Sequence, residues 1–435
     1  MSQSTQSFTP SAVSAPGKVL LAGGYLVLDK KYSGLVFALS ARIHCVSSAL
    51  PSLPPNTIKV VSPQFTEAEW TYQVTGGDND AEEVKVTQVD GNPNPFVQTT
   101  VSQALSYLRL SSIPPTRITI HADNAYYSQP PSSPRFNYLG VPISRAHKTG
   151  LGSSAALVTS LTACLLRTFT GSFAPLHNLA QSAHCAAQGK IGSGFDVSAA
   201  VHGSHVYHRF SPSCLESGGL REQVDGKWDH EVEATKVPKG LRLVMGDVDC
   251  GSSTPGMVRK VLAWRGSDET AEELWRDLEG RNTGLIELMA KAEERSREDG
   301  EEWQSAVKTW GTGEEAETES MKLLNEISKQ VGAIREKIRE MGSRAEVPIE
   351  PEAQTKLLDA AAAAVPGVLG GVVPGAGGYD AVVFLCVDRD ETVEQLEEFL
   401  RGYKFVGEDG KGGSVAVLEA REEMEGVRVE DIAQY

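Results

Sequence analysis

The chain has 435 residues, with 41 Lys and Arg against 57 Asp and Glu, a formal net charge of −16 at pH 7. Its residues are 40% hydrophobic and 23% charged, a globular composition on a length that suits two packed domains, which excludes a disordered chain and a coiled rod. The acidic balance disfavours nucleic acid and anionic membranes as partners, because both are bound by net positive surfaces; an anionic ligand has to be met by local groups.

Taken in order, residues 1–16 are uncharged and rich in Ser and Thr, without the basic start and apolar stretch of a secretory signal, so a cytoplasmic protein is expected. Short apolar runs alternating with glycine-containing turns predict strands and hairpins over 13–48. Weaker strands follow at 57–61 and 71–74, then a polar loop near Gly76. A helix is expected over 95–110, a strand over 117–122 and a loop rich in Pro, Ser and Tyr over 124–138. Helices at 154–170, 175–188 and 195–201 precede a strand at 206–210. Pro, Gly and scattered charge over 211–239 mark the passage into a second domain, giving domains of 1–225 and 226–435. That domain opens with a strand at 241–247 and an acidic helical region at 267–341, broken near 311–313, whose Glu, Lys and Arg read as a solvated helix face. A helix at 351–364, a strand at 381–388, a helix at 391–403 and a strand at 414–418 complete it. Strands and helices interleave without strict alternation, which points to an α+β fold with a split sheet covered by helices in the second domain.

The six cysteines (Cys45, Cys164, Cys185, Cys214, Cys250 and Cys386) form no CxxC pair that would clip zinc or exchange disulfides, so reduced thiols are expected. Two long uncharged runs, 149–166 and 360–379, are too broken by Gly, Ser, Thr and Pro to span a bilayer.

The most informative stretch is Lys148-Thr-Gly-Leu-Gly-Ser-Ser-Ala-Ala-Leu157. Gly150 and Gly152 allow a tight turn with exposed amides, and the helix that follows points its unpaired N–H groups and positive dipole end outward, a geometry that holds phosphate. Either Ser153 or Ser154 can cap the helix, leaving the other hydroxyl for a phosphate oxygen or a magnesium ion; an ordinary Gly-Ser helix entry is the bland alternative. No GxxxxGK[ST] or GxGxxG sequence occurs, so neither a Walker loop nor a dinucleotide fingerprint supplies the cradle. In Ser14-Ala-Pro-Gly-Lys-Val-Leu-Leu-Ala-Gly-Gly-Tyr25, Lys18 at a strand mouth is either a solvated strand-end lysine or a compact cation for a phosphoryl group. In Gly189-Lys-Ile-Gly-Ser-Gly-Phe-Asp196, the aspartate either caps a helix or orients an acceptor, ligates metal or pairs with Lys18. Val373-Pro-Gly-Ala-Gly-Gly-Tyr-Asp380 is either a hairpin turn or a loop that approaches a ligand closely. His202, His205 and His208 alternate across a strand, so a zinc site among them is not expected. Adjacent His184 and Cys185 face different ways on a helix, which argues against a thiol nucleophile.

The early Pro-Gly-Lys, the central Gly-Leu-Gly-Ser-Ser-Ala and the late Gly-Ala-Gly-Gly resemble the three signature motifs of the galactokinase, homoserine kinase, mevalonate kinase and phosphomevalonate kinase (GHMP) superfamily, and are most similar to the phosphomevalonate kinases of fungal type. The resemblance implies an N-terminal domain like domain 2 of ribosomal protein S5, a ferredoxin-like C-terminal domain, and ATP and acceptor in the cleft between them. It makes Lys18 and Asp196 the catalytic pair. Lys148, Gly150, Leu151, Gly152, Ser153, Ser154 and Ala155 become the ATP-binding residues, with Ser154 the magnesium ligand. Lys18, Ser153, Asp196, Arg209, Ser252, Ser253, Gly377 and Gly378 become the acceptor contacts. Many relatives have Gly-Glu-His or Gly-Glu-Tyr where this chain has Gly23-Gly24-Tyr25. The implied activity is ATP- and Mg²⁺-dependent phosphorylation of mevalonate 5-phosphate by a monomer or homodimer that needs neither nucleic acid nor membrane. Another GHMP small-molecule kinase, such as mevalonate kinase, and a non-catalytic nucleotide-binding regulator are the alternatives.

Overall fold

The computed structural model describes residues 8–76, 84–130, 132–216, 218–248, 254–314, 316–406 and 412–435. The first half of the chain supplies β1 (Ser11–Ala22), β2 (Ser33–Ala49), β3 (Thr57–Val61), β4 (Glu69–Thr75), β5 (Lys85–Asp90), α1 (Pro95–Leu108), β6 (Thr116–Ala122), α2 (Ser153–Thr170), α3 (Leu176–Gln188), α4 (Phe195–His202), β7 (His205–His208), the short α5 (Ser213–Glu216) and α6 (Leu220–Asp225), and β8 (Glu231–Ala234). The second half supplies β9 (Leu241–Val248), α7 (Thr254–Ser267), α8 (Ala271–Glu298), α9 (Gly300–Thr309), α10 (Glu319–Arg344), α11 (Glu352–Ala364), β10 (Val368–Val372), β11 (Ala381–Val387) and α12 (Asp390–Gly402). A two-residue pair, β12 (Phe405–Val406) and β13 (Gly412–Gly413), precedes β14 (Val415–Val417), β15 (Glu422–Glu423) and β16 (Arg428–Glu430).

The larger sheet runs β16-β1-β2-β6-β3-β4-β5, with β7, β8 and β15 joined to it through the long β2. Its strands are antiparallel apart from the β3–β6 pair. β1 is buried at every position but one, the partly exposed Lys18, so it reads as a continuous apolar run rather than an alternating one. α2 lies on β1 and β2, with α1, α3 and α4 packed around it. Because α2 is covered on most sides, thirteen of its residues are buried, including Thr159, Ser160 and Thr162.

The smaller sheet is antiparallel in the order β10-β11-β9-β14. In chain order this is the 4-1-3-2 arrangement of a ferredoxin-like domain, with α7–α11 inserted after its first strand and α12 joining its last two. The expected α+β class and ferredoxin-like second domain are thus observed. β10 was not expected: its sequence, Val-Leu-Gly-Gly-Val, carries two glycines that weaken a strand signal. It forms because its apolar residues pack beneath α10 and α11.

In the acidic helical region, α8 and α10 bury Leu274, Trp275, Leu278 and Met289 against Leu324, Ile327, Val331 and Ile334; most of their charges face outward as expected, but Glu293 and Arg335 are buried, paired with Lys236 and with Glu350 and Asp359. α8 also meets the first sheet. Glu279 accepts from the Ser33 backbone N–H and hydroxyl at 3.0 and 2.9 Å, and Tyr32 packs on Trp275 at 5.7 Å between ring centroids. The five described cysteines are free thiols, and no described helix is long and apolar enough to cross a membrane.

Candidate functional site

The residues ahead of α2 turn sharply, and Gly152 serves as the helix N-cap at φ 81°, in the left-handed region. Neither serine caps the helix, contrary to the capping reading above: both lie inside its first turn, and no side chain among the described residues takes the cap position. The first backbone bond of the helix runs from Ala156 N–H to Gly152 O at 3.2 Å. The amides of Ser153, Ser154 and Ala155 are therefore the unpaired donors of an uncapped tip, where the dipole favours an anion. A side chain at Gly152 would also press on Lys18, whose Cγ and Cε lie 3.0 Å from an ideal Cβ.

Lys18 reaches this tip through an irregularity in β1. The pairing with β2 slips between Pro16 and Lys18, where proline has no N–H to donate, and such a bulge re-aims the next side chain. Lys18 N–H bonds Leu151 O at 2.9 Å, and its ammonium donates to Gly150 O at 3.0 Å and lies 5.7 Å from the centre of the Phe195 ring. Burial lowers its pKa, and the nearby Asp196 carboxylate partly offsets that.

Asp196 stands in the first turn of α4. Gly194, not Asp196, is the N-cap there, and Asp196 Oδ1 accepts from Val197 N–H at 2.9 Å. Its Oδ2 lies 3.9 Å from His184 Nε2. The same nitrogen is 3.1 Å from Ser154 Oγ and 3.1 Å from Gln188 Nε2. Gln188 donates, so His184 Nε2 accepts, and the Ser154 hydroxyl can point its proton at the imidazole while turning its oxygen lone pairs outward, as a hard cation requires. His184, 3% exposed, thus anchors the Ser154 hydroxyl, with Asp196 alongside but not hydrogen-bonded to it, a role its sequence position beside Cys185 does not reveal. Cys185 is buried, with its thiol pKa raised by burial and its Sγ accepting from Gln181.

Beside the helix tip is a cavity of about 330 Å³ with Lys148, Ser153 and Ser154 at one end and Phe65, Trp70, Phe96 and Tyr127 along its walls. Its apolar, aromatic lining suits a flat heterocycle next to a polyanion. Asn94 caps α1 by accepting from Phe96 N–H and Val97 N–H, which fixes Phe96 with its ring 5.8 Å from that of His184. These wall residues were not expected, since they come from four separate segments and carry no local pattern.

The remaining expected contacts fall in different places. The Arg209 guanidinium is bound to carbonyls, Nε and Nη2 to Gly192 O at 3.1 and 2.7 Å and Nη1 to Leu28 O at 2.6 Å, so it fastens the turn that leads to Asp196. Gly377 and Gly378 donate to Pro374 O and Ile349 O at 3.3 and 2.9 Å. Their loop meets the first motif: Tyr25 OH donates to Ala376 O at 2.7 Å, and a Cβ on Gly24 would stand 3.1 Å from Gly375 O. Ser252 and Ser253 lie outside the described residues. Just before them, Asp247 accepts from His147 Nε2 at 2.7 Å and from the Ser128 hydroxyl, joining β9 to the approach of the phosphate loop, and its other oxygen is buried without a partner.

An uncapped helix tip, a lysine aimed at it and an aromatic pocket alongside, on an α+β lobe joined to a ferredoxin-like lobe, define a GHMP kinase. Residues 136–204 match the family described as GHMP kinases N terminal domain. The chain is 46% identical over 468 residues to Phosphomevalonate kinase ERG8 of Gibberella zeae, covering 98% of this chain and 97% of that one. It is 33% identical to the Arabidopsis thaliana protein named Phosphomevalonate kinase, peroxisomal, covering 85% and 88% of the two. The fold is shared with Streptococcus pneumoniae phosphomevalonate kinase, solved in complex with phosphomevalonate and AMPPNP, at a TM-score of 0.59 and 16% identity, covering 89% of this chain and 95% of that one. The chain belongs to the phosphomevalonate kinase family.

Proposed function

We propose that the chain transfers the γ-phosphoryl group of ATP to the phosphate of mevalonate 5-phosphate, giving mevalonate 5-diphosphate and ADP. The observation that carries this reading is the convergence of the Lys18 ammonium, the uncapped start of α2 and Asp196 beside one aromatic cavity. The base occupies the cavity and the triphosphate lies on the amides of Ser153, Ser154 and Ala155, with Lys148 at the cavity mouth. Ser154 Oγ would hold magnesium, which when bound would supply neutralising charge.

The acceptor phosphate has a second pKa near 6, by analogy with phosphorylated side chains, so it is mostly ionised at neutral pH and needs no strong base. An acceptor oxygen attacks the γ-phosphorus in line, the bond to the β,γ-bridging oxygen breaks, and ADP leaves with that electron pair. The obstacle is repulsion: two unit charges about 4 Å apart cost roughly 4 kcal/mol at an effective dielectric near 20. Lys18 and the α2 tip oppose it where negative charge spreads over the transferring group. Asp196 holds Lys18 charged and orients the acceptor. Arg209 acts through the turn it fastens, Gly377 and Gly378 border the acceptor side, and Ser252 and Ser253 are assigned to the acceptor from the motif resemblance alone.

The two family domains are assigned to 1–225 and 226–435, although β8, β15 and β16 from the second segment are hydrogen-bonded into the first sheet. The proposed location is the cytoplasm. A coupled ADP-release assay with ATP and Mg²⁺ tests the activity across mevalonate, mevalonate 5-phosphate and galactose. Turnover confined to mevalonate 5-phosphate is expected; preference for mevalonate, or nucleotide binding without turnover on any acceptor, would overturn the reading.

A further inference from the structure

The trio His202, His205 and His208 does not converge. His205 is satisfied by Gly203 O at 2.7 Å and the Ser198 hydroxyl at 2.9 Å, and His208 turns to Lys30 O. His202, at the last position of α4, instead meets His177 from the first turn of α3 and His230 from the stretch before β8. One nitrogen of each lies within 4.8 Å of the others. The rings of His177 and His230 stack at 4.1 Å, and those of His177 and His202 stand 5.2 Å apart.

Three observations make this more than a chance cluster. His177 is only 9% exposed, yet its Nε2 has no hydrogen-bond partner. Its Nδ1 lies 3.1 Å from Asn178 Oδ1, which places the proton on Nδ1 and the lone pair on Nε2, the outer-shell arrangement that prepares an imidazole ligand. His230 likewise has a buried Nδ1 without a partner. The rings of His177 and His230 have lowered pKa values, chiefly from burial, so they are neutral and able to ligate at neutral pH. No Cys or carboxylate belongs to the group.

We propose that His177, His202 and His230 form a binding site for Zn²⁺, distinct from the nucleotide's magnesium. Three imidazoles without a carboxylate suit zinc and its neighbours and are poor ligands for Mg²⁺ or Ca²⁺. Tetrahedral nitrogens about 2.0–2.1 Å from zinc lie roughly 3.3 Å apart, and rotation of the exposed His202 and half-buried His230 closes the difference. Water completes the fourth position from the exposed side. The ion ties the first turn of α3 to the last residue of α4. Two turns further along α3 is His184, and at the other end of α4 is Asp196, so the site braces from behind the two helices that carry the kinase residues.

The test uses the tag-free, EDTA-treated full-length chain titrated with CoCl₂ in a large excess of MgCl₂. One equivalent of Co²⁺ with the visible absorption of a nitrogen-ligated ion is expected, discharged by one equivalent of ZnCl₂, together with a rise of a few degrees in melting temperature. His202→Asn and His230→Gln, at accessible positions, should each weaken binding at least tenfold while the metal-free variants keep wild-type melting and turnover; Ser154→Ala should bind Co²⁺ as the wild type does. Binding that Mg²⁺ competes away, that is well below stoichiometric, or that survives both histidine substitutions overturns the proposal.

Discussion

Lys18 is held by one carbonyl, an aromatic ring and a through-space carboxylate, and each makes a separate expectation about it. Replacing it by Met removes the cation where charge develops, with a loss in kcat of about 10²- to 10³-fold, the usual effect of deleting one such group. Asp196→Asn should cost less, because the acceptor arrives ionised; equal total loss in both would assign Asp196 as an obligatory base. The sign of the pH effect follows from the lowered Lys18 pKa. The ammonium deprotonates below the ordinary lysine range, so kcat/KM falls early on the alkaline side. Asp196→Asn removes the charge that raises that pKa and moves the fall to still lower pH, and an alkaline limb that does not move would break the coupling. His184→Ala takes away the partner of the Ser154 hydroxyl, so the KM for ATP should rise about fivefold, the worth of one hydrogen bond, with the acceptor KM unchanged. A change confined to the acceptor KM would place His184 elsewhere in the mechanism. Lys18 and Ser154 were legible in the sequence because glycines flank them and a helix-forming run follows. His184 was not, since its contact joins α3 to α2 across 30 positions and depends on how the two helices pack.

At the level of elements, α2 offers an internal control. Both its ends carry glycine in the left-handed region, Gly152 at φ 81° and Gly171 at φ 73°, but an added Cβ meets nothing within 4 Å at Gly171 and presses on Lys18 at Gly152. Alanine at either position strains the backbone by about 1–2 kcal/mol, so both variants should melt earlier. Only Gly152→Ala should also raise the KM for ATP and lower kcat. If Gly171→Ala disturbed the kinetics as much, the effect of the first would be mere destabilisation. The long helices, the strands of β1–β4 and β6, and the phosphate-loop entry followed periodicity and turn chemistry closely enough to be expected. β5, β10, α7 and the late strands β15 and β16 were missed; β15 has two residues and β10 two glycines, and such strands draw their stability from partners far along the chain rather than from their own pattern. The three-histidine group was missed for a related reason: spacing within one segment pointed to His205 and His208, whereas the fold selects one histidine from each of three segments.

Across the whole molecule, the first and third glycine motifs meet where Tyr25 bonds Ala376 O, a contact between lobes that borders the acceptor side in the proposed arrangement. Tyr25→Phe removes that bond at a cost of about 0.5–1.5 kcal/mol, and the KM values of both substrates should rise together; an unchanged acceptor KM would show that the contact plays no part in closing the cleft. The chain crosses between lobes twice, once between β8 and β9 and again between β14 and β15, which hands its last strands back to β1 and β2. The ferredoxin-like lobe is in effect a long excursion from a single sheet. A protease cutting either crossing would leave the two lobes joined through the other, with the last strands still hydrogen-bonded to β1 and β2.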